Sequence, residues 1–229
     1  MRQRLAFLVL LFFSAAACHK ESPPPPDHPR LTPNVRMQDV IFHSASLQCD
    51  MPYRVILPAS IQANQRLPVV YLLHGGGGEY RDWSNYSDVA RFAVQGFILV
   101  MPEGNSSYYM NAAARPKDRY EDYIAQDLIS DVEHRFPVLS GRENRAIVGV
   151  SMGGFGAVVL SFKHPDLYAF AGGLSSALDV PTRPFSWHRM GQYRGHAQIF
   201  GAWGSETRRA NNPYALAGSV DPAATPYLY

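Results

Sequence analysis

The chain has 229 residues, 46% of them hydrophobic and 17% charged, and this length and balance fit one globular domain. Its 21 lysines and arginines nearly balance 19 acidic residues, and no basic run is interleaved with aromatic residues in a way that could follow a phosphate backbone. The composition therefore argues against nucleic acid as a partner.

The first 18 residues have the pattern of an export signal. Arg2 and Arg4 precede an apolar run over residues 5–13, which is too short to span about 30 Å of hydrocarbon, and small residues follow it. The alternative is an ordinary buried helix, but nothing periodic or amphipathic follows the run. We therefore predict a signal peptide over residues 1–18 and an exported protein.

Two cleavage sites fit the end of this signal. The three alanines at 15–17 suit plain signal-peptidase cleavage, which would release a secreted protein. The same small residues before Cys18 resemble a bacterial lipobox, although Ala15 stands where a lipobox usually has leucine. We favour the lipobox, in which Cys18 becomes the lipidated first residue of a lipoprotein of the cell envelope or periplasm. The membrane is then a partner only through this lipid anchor.

Residues 19–35 are predicted to form a linker. They include four consecutive prolines at 23–26 and show no core pattern. Proline-rich segments are extended and semi-rigid at about 3 Å per residue, so this one can hold a domain some distance from a membrane surface. The globular domain is predicted over residues 36–229.

Cys49 is the second of the two cysteines. It lies in a strand-like stretch, where a small buried side chain is the common reason for a cysteine. A lipidated Cys18 could not form a disulfide bond with it. We therefore assign Cys49 no chemistry.

Short apolar runs predict a central parallel sheet. Residues 39–44 and 51–57 are strand-like, and residues 67–73 are apolar on both faces, as is typical of a strand covered by helices on two sides. Comparable runs follow at 97–101, 145–150 and 170–174. With helical patterns between them, these runs predict a doubly wound α/β fold.

A glycine-rich loop follows the third of these runs, with the sequence LLHGGGG at residues 72–78. Bare backbone can approach a substrate oxygen closely enough to donate hydrogen bonds, as an oxyanion hole requires. A phosphate-binding loop would end in Gly-Lys-Ser/Thr, whereas this loop continues into EYR. We therefore interpret the loop as one half of an oxyanion hole, with His74 as a structural residue that hydrogen-bonds to the turn.

The clearest helical pattern covers residues 120–136. Its apolar residues recur at helical spacing and predict a face that packs on the core. Glu121, Asp122 and Asp127 are expected on the solvated face of this helix. We therefore do not interpret these acidic residues as a metal site.

The sequence IVGVSMGGFG at residues 147–156 is the most informative stretch of the chain. Its GxSxG motif follows a strand and opens a helix, which is the context of a nucleophile elbow. The turn is so tight that Gly149 and Gly153 must lack side chains, and it exposes the oxygen of Ser151. The N–H of Met152, at the start of the helix, is directed at the substrate oxygen. We predict Ser151 as the nucleophile.

Four stretches, taken together, are typical of one family: LLHG at 72–75, MPEG at 101–104, GVSMGG at 149–154 and NPYAL at 212–216. They resemble the putative-esterase family, which includes esterase D-like enzymes, S-formylglutathione hydrolases, feruloyl esterases and mycolyltransferase antigens. The resemblance runs from about residue 51 to residue 229. It implies an α/β-hydrolase fold, a serine nucleophile, and neither a metal nor an organic cofactor. It also places the second N–H of the oxyanion hole on Gly76, beside that of Met152.

The resemblance also bears on the catalytic acid and histidine. In the family, a strand that begins like PYLY at 226–229 continues into the acid, and a later loop supplies the histidine, in the chain order Ser, acid, His. Both partners are therefore expected after Tyr229, and the domain is expected to be truncated. Asp179 followed by His188 or His196 has the right order, but residues 181–212, rich in arginine, glycine and aromatics, resemble a substrate-facing excursion more than a catalytic loop.

The leading hypothesis is hydrolysis of a carboxylic ester through an acyl-enzyme on Ser151, with a small-molecule or glycan ester as substrate. Acyl transfer to a sugar or another alcohol is the nearest alternative, because an alcohol can capture the same intermediate. A third hypothesis is a catalytically inactive lipoprotein that binds glycan or lipid, since the acid and the histidine are expected outside this chain.

Overall fold

The computed structural model of the chain describes residues 26–184, 186–221, 223 and 225–229. The predicted signal peptide, Cys18 and the first part of the predicted linker lie outside these residues, so what was inferred for them stays a prediction. In the part of the chain that is described, no helix is long and apolar enough to cross a membrane.

Seven strands form one mixed sheet in the order β1-β2-β4-β3-β5-β6-β7. They are β1 (Val35–Ser44), β2 (Cys49–Pro58), β3 (Val69–Leu73), β4 (Ile98–Pro102), β5 (Arg145–Val150), β6 (Phe170–Leu174) and β7 (Tyr227–Leu228). The hairpin of β1 and β2 is antiparallel and joins β4 antiparallel, whereas β4, β3, β5, β6 and β7 pair in parallel. The mostly parallel sheet predicted from the apolar runs is confirmed.

Helices lie between these strands. They are α1 (Asp82–Tyr86), α2 (Ala90–Val94), α3 (Tyr120–Asp122), α4 (Ile129–Arg135), α5 (Met152–Lys163), α6 (Met190–Phe200), α7 (Glu206–Ala210) and α8 (Pro213–Ala217). A π-helical turn, Tyr123–Leu128, joins α3 to α4, and three 3₁₀ turns are formed by Arg142–Asn144, Val180–Thr182 and Trp187–Arg189.

The sheet separates two hydrophobic cores, as expected for the doubly wound arrangement. Strand β3 contributes to both, because successive side chains of a strand point to opposite faces. Val69, Tyr71 and Leu73 belong to the larger core, together with buried side chains of α4 and α5. Leu72 belongs to the smaller core, together with buried side chains of α2.

Two predictions about burial are wrong. Glu121, expected on a solvated helix face, is 7% exposed and lies against Lys163 and His164 at the end of α5. Burial opposes its ionisation, but hydrogen bonds to these two residues lower the pKa of Glu121 below its ordinary value. Cys49, expected to be buried, is exposed at the first residue of β2. Helical spacing identifies a polar face but not the other elements that cover it.

A groove of about 680 Å³ lies on the sheet face that carries α2. Apolar side chains of the parallel strands line it, among them Val70, Leu99, Val148 and Phe170, and Tyr229 lies at its edge. Trp83 of α1 and Phe92 of α2 also line it. The groove is therefore a mainly apolar concave surface.

Arg54 on β2 is completely buried and links three parts of the chain. Its guanidinium donates to Asp39 on β1 at 2.7 and 2.8 Å, to Asp27 at 2.9 and 2.7 Å, and to the Ser84 hydroxyl at 2.9 Å. Asp27 belongs to the predicted linker, and the N–H of Arg30 donates to the Ser84 carbonyl at 2.8 Å. The described end of the linker is therefore packed against the domain.

Asp27→Ala should lower the free energy of unfolding by about 1–2 kcal/mol, because the buried Arg54 would keep only one of its two carboxylates. The hydrogen bond from Arg54 lowers the pKa of Asp27 below its ordinary value of 3.8, even against the opposing effect of burial. Its contribution is therefore fully present above pH 3.8 and is lost as the pH falls through the lower folded-state pKa. Urea denaturation at several pH values measures both effects.

The matched control is Asp88→Ala. Asp88 pairs with Arg30 at 3.7 Å, but its side chain is 75% exposed, so this change should be nearly neutral. Equal unfolding midpoints for Asp27→Ala and the unchanged protein would show that the linker does not stabilise the domain.

Candidate active site

Ser151 stands between the last residue of β5 and the first residue of α5, in a strained backbone conformation. Its φ of 54° and ψ of −110° are uncommon for a residue other than glycine. The N–H of Ser151 donates to the Leu174 carbonyl at 2.8 Å, and the Ser151 carbonyl accepts from Phe155 at 3.0 Å and from Ala177 at 3.1 Å. These bonds hold the turn, and the serine side chain is exposed.

The glycines on either side of Ser151 are required by the packing of this turn. A Cβ atom on Gly149 would lie 2.1 Å from the backbone of Gly153. A Cβ atom on Gly153 would lie 2.2 Å from the carbonyl oxygen of Leu73 at the end of β3. The predicted need for bare backbone at both positions is therefore confirmed.

The glycine loop after β3 passes directly beside the serine. A Cβ atom on Gly75 would lie 3.7 Å from Cβ of Ser151, and one on Gly76 would lie 3.8 Å from Cβ of Met152. Among the described residues neither the N–H of Gly76 nor that of Met152 finds an acceptor. The structure thus brings together the three residues that the sequence singled out.

A cavity of about 390 Å³ opens next to this turn. It is lined by the glycine loop, by Val150 and Leu174 at the ends of β5 and β6, and by Trp83, Tyr86 and Ser87 on and after α1. The cavity is smaller than the apolar groove on the sheet face, but its lining includes the polar backbone of the glycine loop and Val150, which precedes Ser151. This makes it the candidate substrate pocket.

His74 holds the glycine loop in place. It is buried, and its Nδ1 lies 2.8 Å from the Gly75 carbonyl oxygen, to which it donates. The C=O and N–H groups of one peptide plane point in opposite directions, so the fixed Gly75 carbonyl also sets the direction of the Gly76 N–H. The structural role predicted for His74 is confirmed: its side chain fixes the orientation of the glycine loop, which lines the cavity.

Glu103 and Gly104 extend this network to the end of β4. In the neutral imidazole, Nε2 of His74 accepts the Gly104 N–H at 2.9 Å, and on protonation it donates to Glu103 at 3.2 Å. Burial opposes the charged form, but the bonds to Glu103 and to the Gly75 carbonyl raise the pKa of His74. The MPEG motif at residues 101–104 does not by itself indicate these roles, because they depend on a contact between the ends of two strands.

The side chains considered as substitutes for the acid and histidine are engaged elsewhere. Asp179 accepts two hydrogen bonds from Arg183, at 2.9 and 2.6 Å, and Nε2 of His196 lies 3.1 Å from the Tyr108 hydroxyl. His188 is exposed. Within the described ranges no side chain hydrogen-bonds to the Ser151 hydroxyl, and no three metal-ligating side chains come together.

A family model described as "Putative esterase" matches residues 44–222, which is more than three quarters of the chain. Solved structures have a similar fold. Serine hydrolase F of Staphylococcus aureus, a fluorophosphonate-binding protein solved with substrate bound, is 24% identical; the match covers 85% of this chain and 77% of that chain, with a TM-score of 0.71.

Two further solved structures are similar to this chain. S-formylglutathione hydrolase of Staphylococcus aureus is 22% identical, covers 85% of this chain and 78% of its own, and has a TM-score of 0.67. A ferulic acid esterase is 22% identical, covers 83% of this chain and 74% of its own, and has a TM-score of 0.66. These likenesses confirm the predicted α/β-hydrolase fold.

Gly153→Ala should destabilise the protein by about 3 kcal/mol, because the added methyl group meets backbone at 2.2 Å and α5 would have to move away from β3. The matched control is Gly195→Ala in α6, where an added Cβ meets nothing within 4 Å. That change should stabilise the helix by about 0.5–1 kcal/mol. Thermal unfolding measures both, and a neutral Gly153→Ala would contradict the close packing of α5 on β3.

Proposed function

The chain belongs to the putative-esterase family, and we propose that it hydrolyses carboxylic esters through an acyl-enzyme on Ser151. The observation that carries the proposal is the strained turn that exposes Ser151 with the unpaired N–H groups of Gly76 and Met152 beside it. Such a turn costs free energy, and strained backbone of this kind is concentrated at functional sites.

In this proposal Ser151 attacks the carbonyl carbon of an ester bound in the pocket. The carbonyl oxygen becomes an oxyanion, which the N–H groups of Gly76 and Met152 stabilise. The alcohol leaves with a proton, and water then attacks the acyl-enzyme to release the acid and restore the serine. The proton of Ser151 must pass to a general base, which then returns it to the leaving alcohol.

One observation favours the alternative of a binding protein without catalysis: no described side chain hydrogen-bonds to the Ser151 hydroxyl. A serine hydroxyl without a neighbouring base is a poor nucleophile at neutral pH. Acyl transfer to an alcohol would use the same acyl-enzyme as hydrolysis. Activity measurements on this chain therefore first distinguish a binding protein from an enzyme. Whether an enzyme hydrolyses the ester or transfers the acyl group is a later question.

Ser151→Ala, together with imidazole added in solution, tests both the nucleophile and its need for a base. The unchanged chain should hydrolyse a small activated ester about as slowly as Ser151→Ala, because loss of the base in a comparable serine enzyme costs about 10⁶ in turnover. Added imidazole should accelerate the unchanged chain but not Ser151→Ala beyond the reaction with imidazole alone. Ser130→Ala, an exposed serine on α4, is the control and should behave like the unchanged chain.

Two results would contradict parts of this proposal. Equal acceleration of the unchanged chain and Ser151→Ala by imidazole, beyond the reaction with imidazole alone, would show that Ser151 is not the nucleophile. Hydrolysis that is rapid without imidazole and is abolished by Ser151→Ala would support Ser151 as the nucleophile. It would also show that the base lies within this chain. His188→Ala and His196→Ala would then identify it.

We further propose that the protein is exported and anchored through a lipidated Cys18. The small residues before Cys18 and the prolines after it support this proposal. Mass spectrometry of the mature protein should find residue 18 at the N-terminus with attached acyl chains, and Cys18→Ala should remove the anchor without changing the folded domain. An unmodified Cys18, or a mature protein that begins elsewhere, would contradict the anchor.

A further inference from the structure

The positive charge of the protein is concentrated in one segment. Residues 180–212, here called the cationic segment, contain five arginines and only one acidic residue, Glu206, and so carry a formal charge of +4. The whole chain carries only +2, which means that the rest of the protein is slightly acidic. A local excess of one charge is a signature of a surface that attracts the opposite charge.

The cationic segment lies against the helix that begins at the nucleophile. The ring of Phe200, at the end of α6, is 5.4 Å from that of Phe155, and Phe155 lies one helical turn after Ser151. Tyr108 packs between Phe155 and His196 of α6, at 5.6 and 5.3 Å. The inner side of α6 therefore packs on the helix that begins after Ser151.

The outer surface of α6 is polar. Ile199 and Phe200 are buried, whereas Gln192, Arg194 and Gln198 are exposed. Arg189, just before the helix, is also exposed, and no described carboxylate lies within ion-pair distance of Arg189 or Arg194. The surface thus offers amide groups and two guanidinium groups that can bind polar or anionic ligands.

Two exposed tryptophans flank this polar surface. Trp187 is 75% exposed before α6 and Trp203 is 55% exposed after it. The 11 residues of α6, which separate the two tryptophans in the chain, span about 16 Å. Tryptophan is common in binding surfaces, where its flat apolar face provides contact area at little entropic cost.

The buried side of the segment also experiences this positive potential. Burial lowers the pKa of His196, and the charges of Arg183 and Arg208 lower it further. Arg208 is itself buried; it donates to the carbonyl oxygens of Gly201 and Pro181 and lies over the Trp203 ring. Its positive charge is therefore not cancelled by a carboxylate among the described residues.

We propose that the cationic segment binds the sugar chain of an anionic glycan ester, so that sugar rings stack on Trp187 and Trp203 and uronic-acid carboxylates pair with Arg189 and Arg194. This inference rests on the proposed function and names the substrate class of the same site. Charge complementarity selects an anionic partner. A membrane-binding helix would present a continuous apolar face, whereas α6 presents glutamine and arginine, which favours a polar polymer.

The test measures binding in a Ser151→Ala background, so that no ester is cleaved and failure of the proposed catalysis cannot mask the result. The two probes are polygalacturonate and the same polymer fully methyl-esterified, which shares the backbone but carries no charge. Titration calorimetry should show at least about tenfold tighter binding of the charged polymer, and this preference should weaken as salt is added.

The double variant Arg189→Ala/Arg194→Ala should lower the affinity for polygalacturonate by about tenfold. It should leave binding of the methyl-esterified polymer unchanged. Trp187→Ala and Trp203→Ala should each weaken binding of both polymers. The control is Arg36→Ala/Arg91→Ala, which removes the same charge from exposed positions on β1 and α2 and should have little effect.

Three results would overturn the inference. Equal losses in the two double-arginine variants would show that only net charge matters. Unchanged binding in the cationic-segment variants would place the glycan elsewhere. Binding to vesicles of anionic phospholipid without binding to either polymer would make the segment a membrane-contact surface.

Discussion

The close approach of helix α5 to the end of strand β3 is the constraint on which the rest of the site depends. Gly153 lies so near the Leu73 carbonyl that no side chain fits between helix and strand. This packing forces the chain to turn sharply at Ser151 and to adopt a positive φ. A strained serine costs on the order of 1–3 kcal/mol, which the hydrogen bonds to the turn and the packing of α5 offset.

The parallel strands bring the other parts of the site to the same edge of the sheet. β4, β3 and β5 are neighbours, and each continues at its carboxyl end into a residue of the site: Gly104, His74 and Ser151. Open α/β sheets bind ligands at this edge for the same geometric reason. The Gly104 N–H donates to the His74 ring, and that ring donates to the Gly75 carbonyl, so the end of β4 helps to position the glycine loop.

Buried charges in this protein join segments that are distant in sequence. Arg54 binds Asp27 and Asp39, and Glu121 binds Lys163 and His164. A buried charge is tolerated only when partners compensate for the loss of water, so each group constrains the elements around it. Arg54 fixes the described end of the linker to α1, a helix that also lines the cavity beside the glycine loop.

The sequence by itself determined the alternation of strands and helices, the serine at the elbow, and the glycines that the turn requires. These features are local: apolar periodicity and the GxSxG spacing lie within a few residues of the groups that they describe. Only the tertiary structure decided that Glu121 is buried, that Cys49 is exposed and that Asp27 packs on the domain. The partners of Glu121 and Asp27 lie tens of residues away, and no local pattern encodes which distant side chain will cover a given face.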